Sequence, residues 1–189
     1  MASTLAPKLA RRLYTAPQQV SDPRIIDEIA RFRAAAWTKE DGLADDAFPD
    51  GQWTDRYDAT ATHWVIRDAS GTLVGSARLS VHPRLQDVDE WEYYERLGLA
   101  VGGPIAAPAR VVIHPTARGF GLAAQLLDAQ DEAARSAGAT CALRQASPRM
   151  ANLLVSRGWR ILGRGSPDPR FPSVQFQVAC LPLSPDWRL

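Results

Sequence analysis

The sequence predicts a mixed α/β domain, and three observations support this prediction. The chain has 189 residues, of which 46% are hydrophobic and 23% charged, as in ordinary globular domains with one core. Segments with helical spacing of apolar residues alternate with short β-like runs. Glycine and proline separate these segments, as expected where strands and helices are joined by turns. We therefore expect one domain over residues 1–189, with residues 1–18 as a candidate frayed segment.

The charge and cysteine content exclude several classes of partner. The net charge is +1, so no overall field attracts the chain to nucleic acid or to an anionic membrane. No run approaches the roughly 20 apolar residues that span a bilayer. The two cysteines, Cys141 and Cys180, are too few for a disulfide framework and are expected to be buried thiols. The expected location is the cytoplasm, without membrane or nucleic-acid partners.

The first half of the chain predicts a helix, a loop, a hairpin and a short helix. Asp22 is a suitable N-cap and Pro23 a suitable first helical residue. A polar loop covers residues 42–58, and a hairpin with its turn at 68–71 follows over residues 62–82. A short helix is expected within residues 87–98. The apolar face of the first helix consists of Ile25, Ile29, Phe32 and Ala36.

The second half alternates strands and helices. A strand is expected over residues 107–115, and a helix over 119–137 ends before Gly138. After a strand at 139–146, Ser147 as cap, Pro148 as first residue and Gly158 as terminator bracket the last helix. Two closing strands lie within residues 159–165 and 173–183. The buried face predicted for the 119–137 helix consists of Leu122, Leu126, Ala133 and Ala137.

The segment Arg-Gly-x-Gly-x-Ala at residues 118–123 is the main functional signal. The first amides of a helix have no intrahelical acceptor, and that end carries a partial positive charge. Gly119 and Gly121 have no side chains that would keep an anion away from these amides, and the small side chain of Ala123 leaves space over the next turn. Arg118 supplies a guanidinium group that can bind phosphate. This pattern predicts a diphosphate site. It lacks the Lys-Ser/Thr pair of triphosphate loops and the third glycine of dinucleotide folds.

These residues resemble the pyrophosphate loop of the GNAT superfamily of N-acyltransferases, which has the form Gln/Arg-x-x-Gly-x-Gly/Ala. Arg118, Gly121 and Ala123 match this loop, and residues 113–115 match the usual end of the preceding strand. The likeness extends from the hairpin near His63 to residues 156–163. It implies a GNAT fold, in which a mixed, mostly antiparallel central sheet is flanked by helices.

The resemblance also implies that the chain binds acetyl-CoA as co-substrate, without a metal. In this family the loop amides hold the pyrophosphate, and the preceding strand pairs with the pantetheine arm. Ser147 stands where the family frequently has an asparagine that contacts this arm. The cofactor-binding residues that the resemblance implies are Val111, Val112, Ile113, Arg118, Gly119, Phe120, Gly121, Leu122, Ala123 and Ser147.

Two catalytic positions of the family are not matched. The amine must be neutral to attack a thioester, which costs about 4–5 kcal/mol at neutral pH for a lysine-like amine and about 1 kcal/mol for an α-amine. A general base therefore helps the first kind of substrate more. Family members often have a tyrosine as proton donor where this chain has Leu154, and an acidic residue in the strand before the loop, where this chain offers Arg110.

Tyr94 and Glu90 are the candidate catalytic residues. Both lie in an acidic segment that would attract a cationic amine, and a helix places positions i and i+4 on one face. The alternative is a solvated acidic helix whose Trp91 and Tyr94 pack inward. Among the three histidines, packing is expected for His63 and His82, while a catalytic role for His114 remains open.

The leading hypothesis is a CoA-dependent N-acetyltransferase that acts on a small-molecule or peptide amine. A second is a longer-chain N-acyltransferase, because residues 31–37, 55–68 and 73–83 also resemble acyl-homoserine lactone synthases and N-acyl amino acid synthases. A third is a non-catalytic module that binds acyl-CoA. The edge strands of the predicted sheet leave a homodimer open.

Overall fold

The computed structural model describes residues 13–38, 42–99, 101–184 and 187. Most of the candidate frayed segment, residues 1–12, lies outside these residues. The helices within them are α1 (Pro23–Trp37), α2 (Trp91–Arg96), α3 (Leu122–Ser136) and α4 (Pro148–Val155). The strands are β1 (Gln18–Val20), β2 (Thr62–Arg67), β3 (Leu73–His82), β4 (Ile105–Ile113), β5 (Cys141–Ala146), β6 (Arg160–Arg164) and β7 (Gln177–Pro182).

The strands form one sheet in the order β1-β2-β3-β4-β5-β7-β6. The pairs β1–β2, β5–β7 and β6–β7 are antiparallel, whereas β4 and β5 run parallel. The expected mixed sheet flanked by helices is therefore confirmed. No helix in the described part of the chain combines the length and hydrophobicity that crossing a membrane requires.

The chain divides into two compact units. The first comprises Met1–Glu40, Phe48–Arg78 and Arg110–Gln130, and the second comprises Asp41–Ala47, Leu79–Ala109 and Asp131–Leu189. Each unit has its own cluster of buried apolar side chains.

In the first unit, α1 packs on the β2–β3 hairpin. Asp22 accepts a hydrogen bond from the amide of Arg24, and the helix begins at Pro23 as predicted. Ile29 packs with Val65 and Leu73, and Ile25 and Phe32 are partly buried against them, so the predicted apolar face of α1 faces the core. The buried surface of the helix is wider than predicted, because it also includes Ala30, Arg33 and Ala34. The structure adds β1, a three-residue strand too short to show a period-2 pattern in the sequence.

Helix α3 begins at Leu122 rather than at residue 119. The backbone of Gly119 and Gly121 has φ of +86° and +76°, which a right-handed helix does not admit. Its buried face also differs from the prediction, because Ala137 follows the end of the helix and is exposed. The buried residues of α3 are Leu122, Leu126, Leu127, Gln130, Asp131 and Ala134.

In the second unit, α2 packs on β5 and β7. Tyr94 belongs to one buried cluster with Leu143 and Val178, against which Trp91 is partly buried. Cys141 and Cys180 lie in the same cluster as free thiols, which confirms the prediction of two buried thiols.

Helix α4 of the second unit has the predicted limits. The hydroxyl of Ser147 accepts a hydrogen bond from the Met150 amide at 3.4 Å, and Pro148 is the first helical residue. Gly158 follows the helix with a φ of +87°, which glycine adopts without a steric penalty. Leu154 on this helix is 0% exposed, so the residue at the family's tyrosine position packs in the core.

Two neighbouring residues of α4 provide a test of this packing. Leu154 is 0% exposed and Val155 is 52% exposed. We expect Leu154→Ala to lower the free energy of unfolding by about 2–5 kcal/mol, because it removes buried methyl groups and leaves a cavity. We expect Val155→Ala to change it by at most about 0.5 kcal/mol. Urea unfolding followed by circular dichroism measures both, and equal losses would contradict the assigned packing.

Candidate functional site

The predicted diphosphate loop connects β4 to α3 in the first unit. Residues Pro115–Ala117 form a single 3-10 turn. The amide of His114 donates to the Val74 carbonyl at 2.8 Å, and the amide of Ala117 donates to the His114 carbonyl at 2.9 Å. Ala117 is buried. The start of the loop is therefore fixed to β3 and to the protein interior, while its glycines lie on the surface.

The loop glycines are required by the conformation of the backbone. Gly119 and Gly121 both lie in the left-handed region, and a Cβ atom at either position would meet nothing within 4 Å. A side chain there would strain the backbone rather than collide with a neighbour. The exposed glycines leave open space beside the start of α3, into which a bulky anion can fit.

The amides of residues 119–124 form no hydrogen bond with any described part of the protein. The first amide of this region that is bonded is that of Gln125, which donates to the Gly121 carbonyl at 3.2 Å. Unpaired amides at the start of a fifteen-residue helix present a partial positive charge to an anion. Arg118 lies beside them, and its Nε donates to the Ile113 carbonyl at 3.4 Å. This geometry fits a pyrophosphate group.

The strand before the loop contains a left-handed residue that sequence reasoning missed. Arg110 of β4 has a φ of +56°, a conformation that costs about 1–2 kcal/mol for a residue with a Cβ atom. The predicted pantetheine-binding residues Val111, Val112 and Ile113 follow it directly, with Val112 buried and the other two partly exposed. The left-handed backbone at Arg110 therefore interrupts the regular strand conformation of β4 between residues 105–109 and residues 111–113.

Ion pairs hold Arg110 in this conformation. Its Nη2 donates to Asp55 Oδ2 at 2.6 Å, and its guanidinium lies 4.2 Å from the ring centre of Trp53. Arg78 Nη1 donates to the other oxygen of the Asp55 carboxylate. Burial alone would raise the pKa of Asp55, but Arg78 and Arg110 hold it well below its ordinary value. Burial and the charge of Arg78 lower the pKa of Arg110 to about 10.

The same network continues to Asp58 and Arg33. Arg33 Nη1 donates to Asp58 Oδ1 at 2.8 Å, and Arg78 Nη1 lies 3.2 Å from the same oxygen. His63 is 0% exposed and contacts the Asp58 carbonyl through Nε2 at 2.8 Å. Burial lowers the pKa of His63. This histidine packs in the interior, as predicted.

The other two histidines make local hydrogen bonds. Nε2 of His82, which is buried as expected, lies 2.9 Å from the Ser80 hydroxyl. His114 Nδ1 lies 2.8 Å from the Thr116 hydroxyl. His114 therefore has a local role at the turn after β4. No described group of three or more histidine, cysteine, aspartate or glutamate side chains has the arrangement of a metal site.

The catalytic candidates Glu90 and Tyr94 belong to the second unit, as does Ser147. Glu90 precedes α2 with a φ of +56°. Its carboxylate accepts hydrogen bonds from the Ser166 hydroxyl and from the side-chain amide of Gln145. Glu90 is exposed as a whole residue, but partial burial of its carboxylate raises its pKa above the ordinary value, and the Ser166 bond opposes this effect only in part. A carboxylate with a raised pKa is a stronger base than an ordinary one.

Tyr94 packs inward, as the alternative interpretation of this segment expects. Its side chain is 3% exposed, and burial raises the pKa of its hydroxyl above the ordinary value. Tyr94 therefore keeps its proton at neutral pH. Ser147 caps α4, so this residue has a structural role regardless of any contact with a cofactor.

Comparisons with known proteins agree with this fold. The model of the acetyltransferase (GNAT) family matches residues 25–158, which is well over half of the chain. The chain therefore belongs to the GNAT acetyltransferase family, and it is an acyltransferase by membership. No curated protein sequence matches it.

Solved structures of low sequence identity share the fold. An N-acetyltransferase from Staphylococcus aureus Mu50 is 14% identical, with a TM-score of 0.62 over 90% of this chain and 100% of that one. The CoA-dependent acyl-homoserine lactone synthase BjaI is 18% identical, with a TM-score of 0.65 over 90% of this chain and 84% of its own. FeeM, an N-acyl amino acid synthase from uncultured soil microbes, is 16% identical, with a TM-score of 0.61 over 90% of this chain and 93% of its own.

The glycine loop provides a test of the site. We expect Gly121→Val to weaken CoA binding at least about tenfold, because a β-branched residue cannot easily hold the left-handed φ that exposes the amides. Gly71 is the matched control, because it has a φ of +85° and equally open surroundings in the hairpin turn. Gly71→Val should cost similar stability and leave the affinity unchanged. Isothermal calorimetry with CoA measures the difference, and near-normal affinity of a folded Gly121→Val variant would count against the loop.

Proposed function

We propose that the protein is a CoA-dependent N-acetyltransferase, which transfers an acetyl group from acetyl-CoA to a primary amine. The observation that carries the proposal is the row of amides at residues 119–124, which have no acceptor in the described part of the chain and lie beside Arg118 in the loop after β4. A diphosphate is the anion that such a row of amides suits. Val111, Val112 and Ile113 are the proposed partners of the pantetheine arm, and Ser147 is a proposed further contact.

The proposed reaction is direct attack on the thioester. The amine nitrogen forms a bond to the carbonyl carbon, the carbon–sulfur bond breaks, and the thiolate takes up a proton. The chain must therefore accept one proton from the amine and supply one to the sulfur. Glu90 is the proposed base because its raised pKa suits proton abstraction. Tyr94 is the proposed proton donor because its hydroxyl carries a proton at neutral pH, although burial makes it a weaker acid than an ordinary tyrosine.

Thiol release tests the proposal. We expect saturable binding of CoA and acetyl-CoA in calorimetry, and release of one thiol per amine acylated, followed with a thiol-reactive dye. Both cysteines of the chain are buried, so they should contribute little background. Absence of binding to any CoA species would reject the proposal. Binding without thiol release across a panel of amines would identify a non-catalytic module instead.

A longer-chain N-acyltransferase is the second candidate. Four of the five residues that form the buried charged network, Arg33, Asp55, Asp58 and Arg78, lie in the sequence segments that resemble acyl-homoserine lactone and N-acyl amino acid synthases. Among the solved structures that share the fold, BjaI is a CoA-dependent acyl-homoserine lactone synthase and FeeM is an N-acyl amino acid synthase. Octanoyl-CoA separates the two candidates, because a longer-chain enzyme should show a higher kcat/KM with it than with acetyl-CoA.

The pH dependence of the reaction tests Glu90. We expect kcat/KM to fall as the pH drops through the raised pKa of Glu90, because the protonated carboxyl cannot accept a proton. Glu90→Gln should lower kcat about a hundredfold or more and remove this acidic limb. Since the pKa of Glu90 is higher in the folded state, wild-type stability relative to Glu90→Gln should fall as the pH rises through that range.

The exposed Glu92, two residues further along the same segment, is the matched control. Glu92→Gln should leave both the rate and the acidic limb unchanged. An unaltered pH profile in Glu90→Gln would remove Glu90 from the mechanism. It would leave the cofactor assignment intact, because the loop and Glu90 are tested by different measurements.

A further inference from the structure

Two arginines of the first unit each keep a guanidinium nitrogen without a partner among the residues that the structure describes. Arg78 uses Nη1 for Asp55 and Asp58, and Arg110 uses Nη2 for Asp55. Nη2 of Arg78 and Nη1 of Arg110 remain available, and the Nε atoms of both side chains are buried and unpaired. The side chains are 4% and 12% exposed.

The network that contains these arginines has an excess of positive charge. Three guanidinium groups, those of Arg33, Arg78 and Arg110, face the carboxylates of Asp55 and Asp58. His63 does not change this balance at neutral pH, because burial favours its neutral form. Among the described residues, one positive charge in this mostly buried cluster thus has no carboxylate to compensate it. Such a charge is costly unless an anion or water compensates it.

The arginine planes are fixed before any ligand arrives. The guanidinium of Arg110 lies 4.2 Å from the ring centre of Trp53, and that of Arg78 lies 5.8 Å from the ring centre of Tyr57. Each carboxylate oxygen of Asp55 accepts a hydrogen bond from one of these two guanidinium groups. Arginines whose side chains are already ordered lose less conformational entropy when they bind a carboxylate.

The position of the cluster connects it with acyl transfer. Arg110 directly precedes Val111, Val112 and Ile113, the proposed partners of the pantetheine arm. We infer that Arg78 and Arg110 bind a carboxylate of the acyl acceptor, so that the acceptor is an amino acid or another small amine that carries a carboxylate. This inference rests on the proposed acyltransferase function for its role in the reaction, but the anion site itself does not depend on turnover.

Pairs of amines that differ only in the carboxylate test the inference on the unaltered chain. Calorimetry would compare L-phenylalanine with 2-phenylethylamine and L-methionine with 3-(methylthio)propylamine, each with and without CoA. We expect the member with the carboxylate to bind at least about tenfold more tightly, which corresponds to about 1.4 kcal/mol. Equal or weaker binding of the carboxylate members in every pair would overturn the inference.

Arginine-to-lysine substitutions locate the site. Arg110→Lys retains the charge that faces Asp55 but removes the second guanidinium nitrogen, so it should abolish most of the preference for the carboxylate member. Arg78→Lys is the second variant, in case Arg110→Lys does not fold. The control is Arg84→Lys, because Arg84 is 72% exposed and pairs with Asp87 on the surface.

The kinetic readout separates a binding role from a structural one. A variant that raises KM for the amino acid and leaves KM for the matched amine unchanged supports the inference. A variant that impairs both members equally assigns the arginines to structure alone and overturns it. If amino acids bind but no thiol is released with any donor, the proposed function fails while the anion site stands. If amines react without a preference for the carboxylate, only the inference fails.

Discussion

The candidate site depends on one constraint, the left-handed backbone at Gly119 and Gly121. These two residues end the turn after β4 and delay the start of α3 until Leu122. The delay leaves the amides of residues 119–124 without acceptors in the described protein. Unpaired amides at a helix start favour an anion. Membership of the GNAT acetyltransferase family gives this anion site a chemical context, the diphosphate of a CoA thioester.

The charged network of the first unit is the second determinant of the site. Asp55 lies in a polar loop, yet its carboxylate joins Arg78 of β3 to Arg110 of β4. Because Arg110 adopts a left-handed φ immediately before the strand segment 111–113, these ion pairs fix the backbone where the cofactor arm is proposed to bind. Removing Asp55 from such a buried network is strongly destabilising, about 3–5 kcal/mol, because it leaves the guanidinium groups of Arg78 and Arg110 with too few carboxylates. The network therefore combines a structural role with the capacity to bind an anion.

The second unit supplies groups of a different kind. Glu90 has an unusual backbone conformation and a raised pKa, and it is held by Ser166 and Gln145. Neither of these partners is close to Glu90 in the sequence. Tyr94, by contrast, is a core residue whose burial the helical pattern allows but does not require. The family's usual donor position is filled by Leu154, which is also buried.

The sequence by itself determined the helix caps, the hairpin, the order of the elements and the glycine loop, because each is encoded by residues close together in the chain. Asp22 and Ser147 cap helices within three residues of themselves. The later start of α3 and the short strand β1 were not predicted from the sequence. The start of α3 depends on backbone angles, and β1 depends on pairing with β2. Only the tertiary structure decided that Asp55 meets Arg110, 55 residues away. Composition shows that charges exist, but their pairing follows from how distant strands and loops fold together.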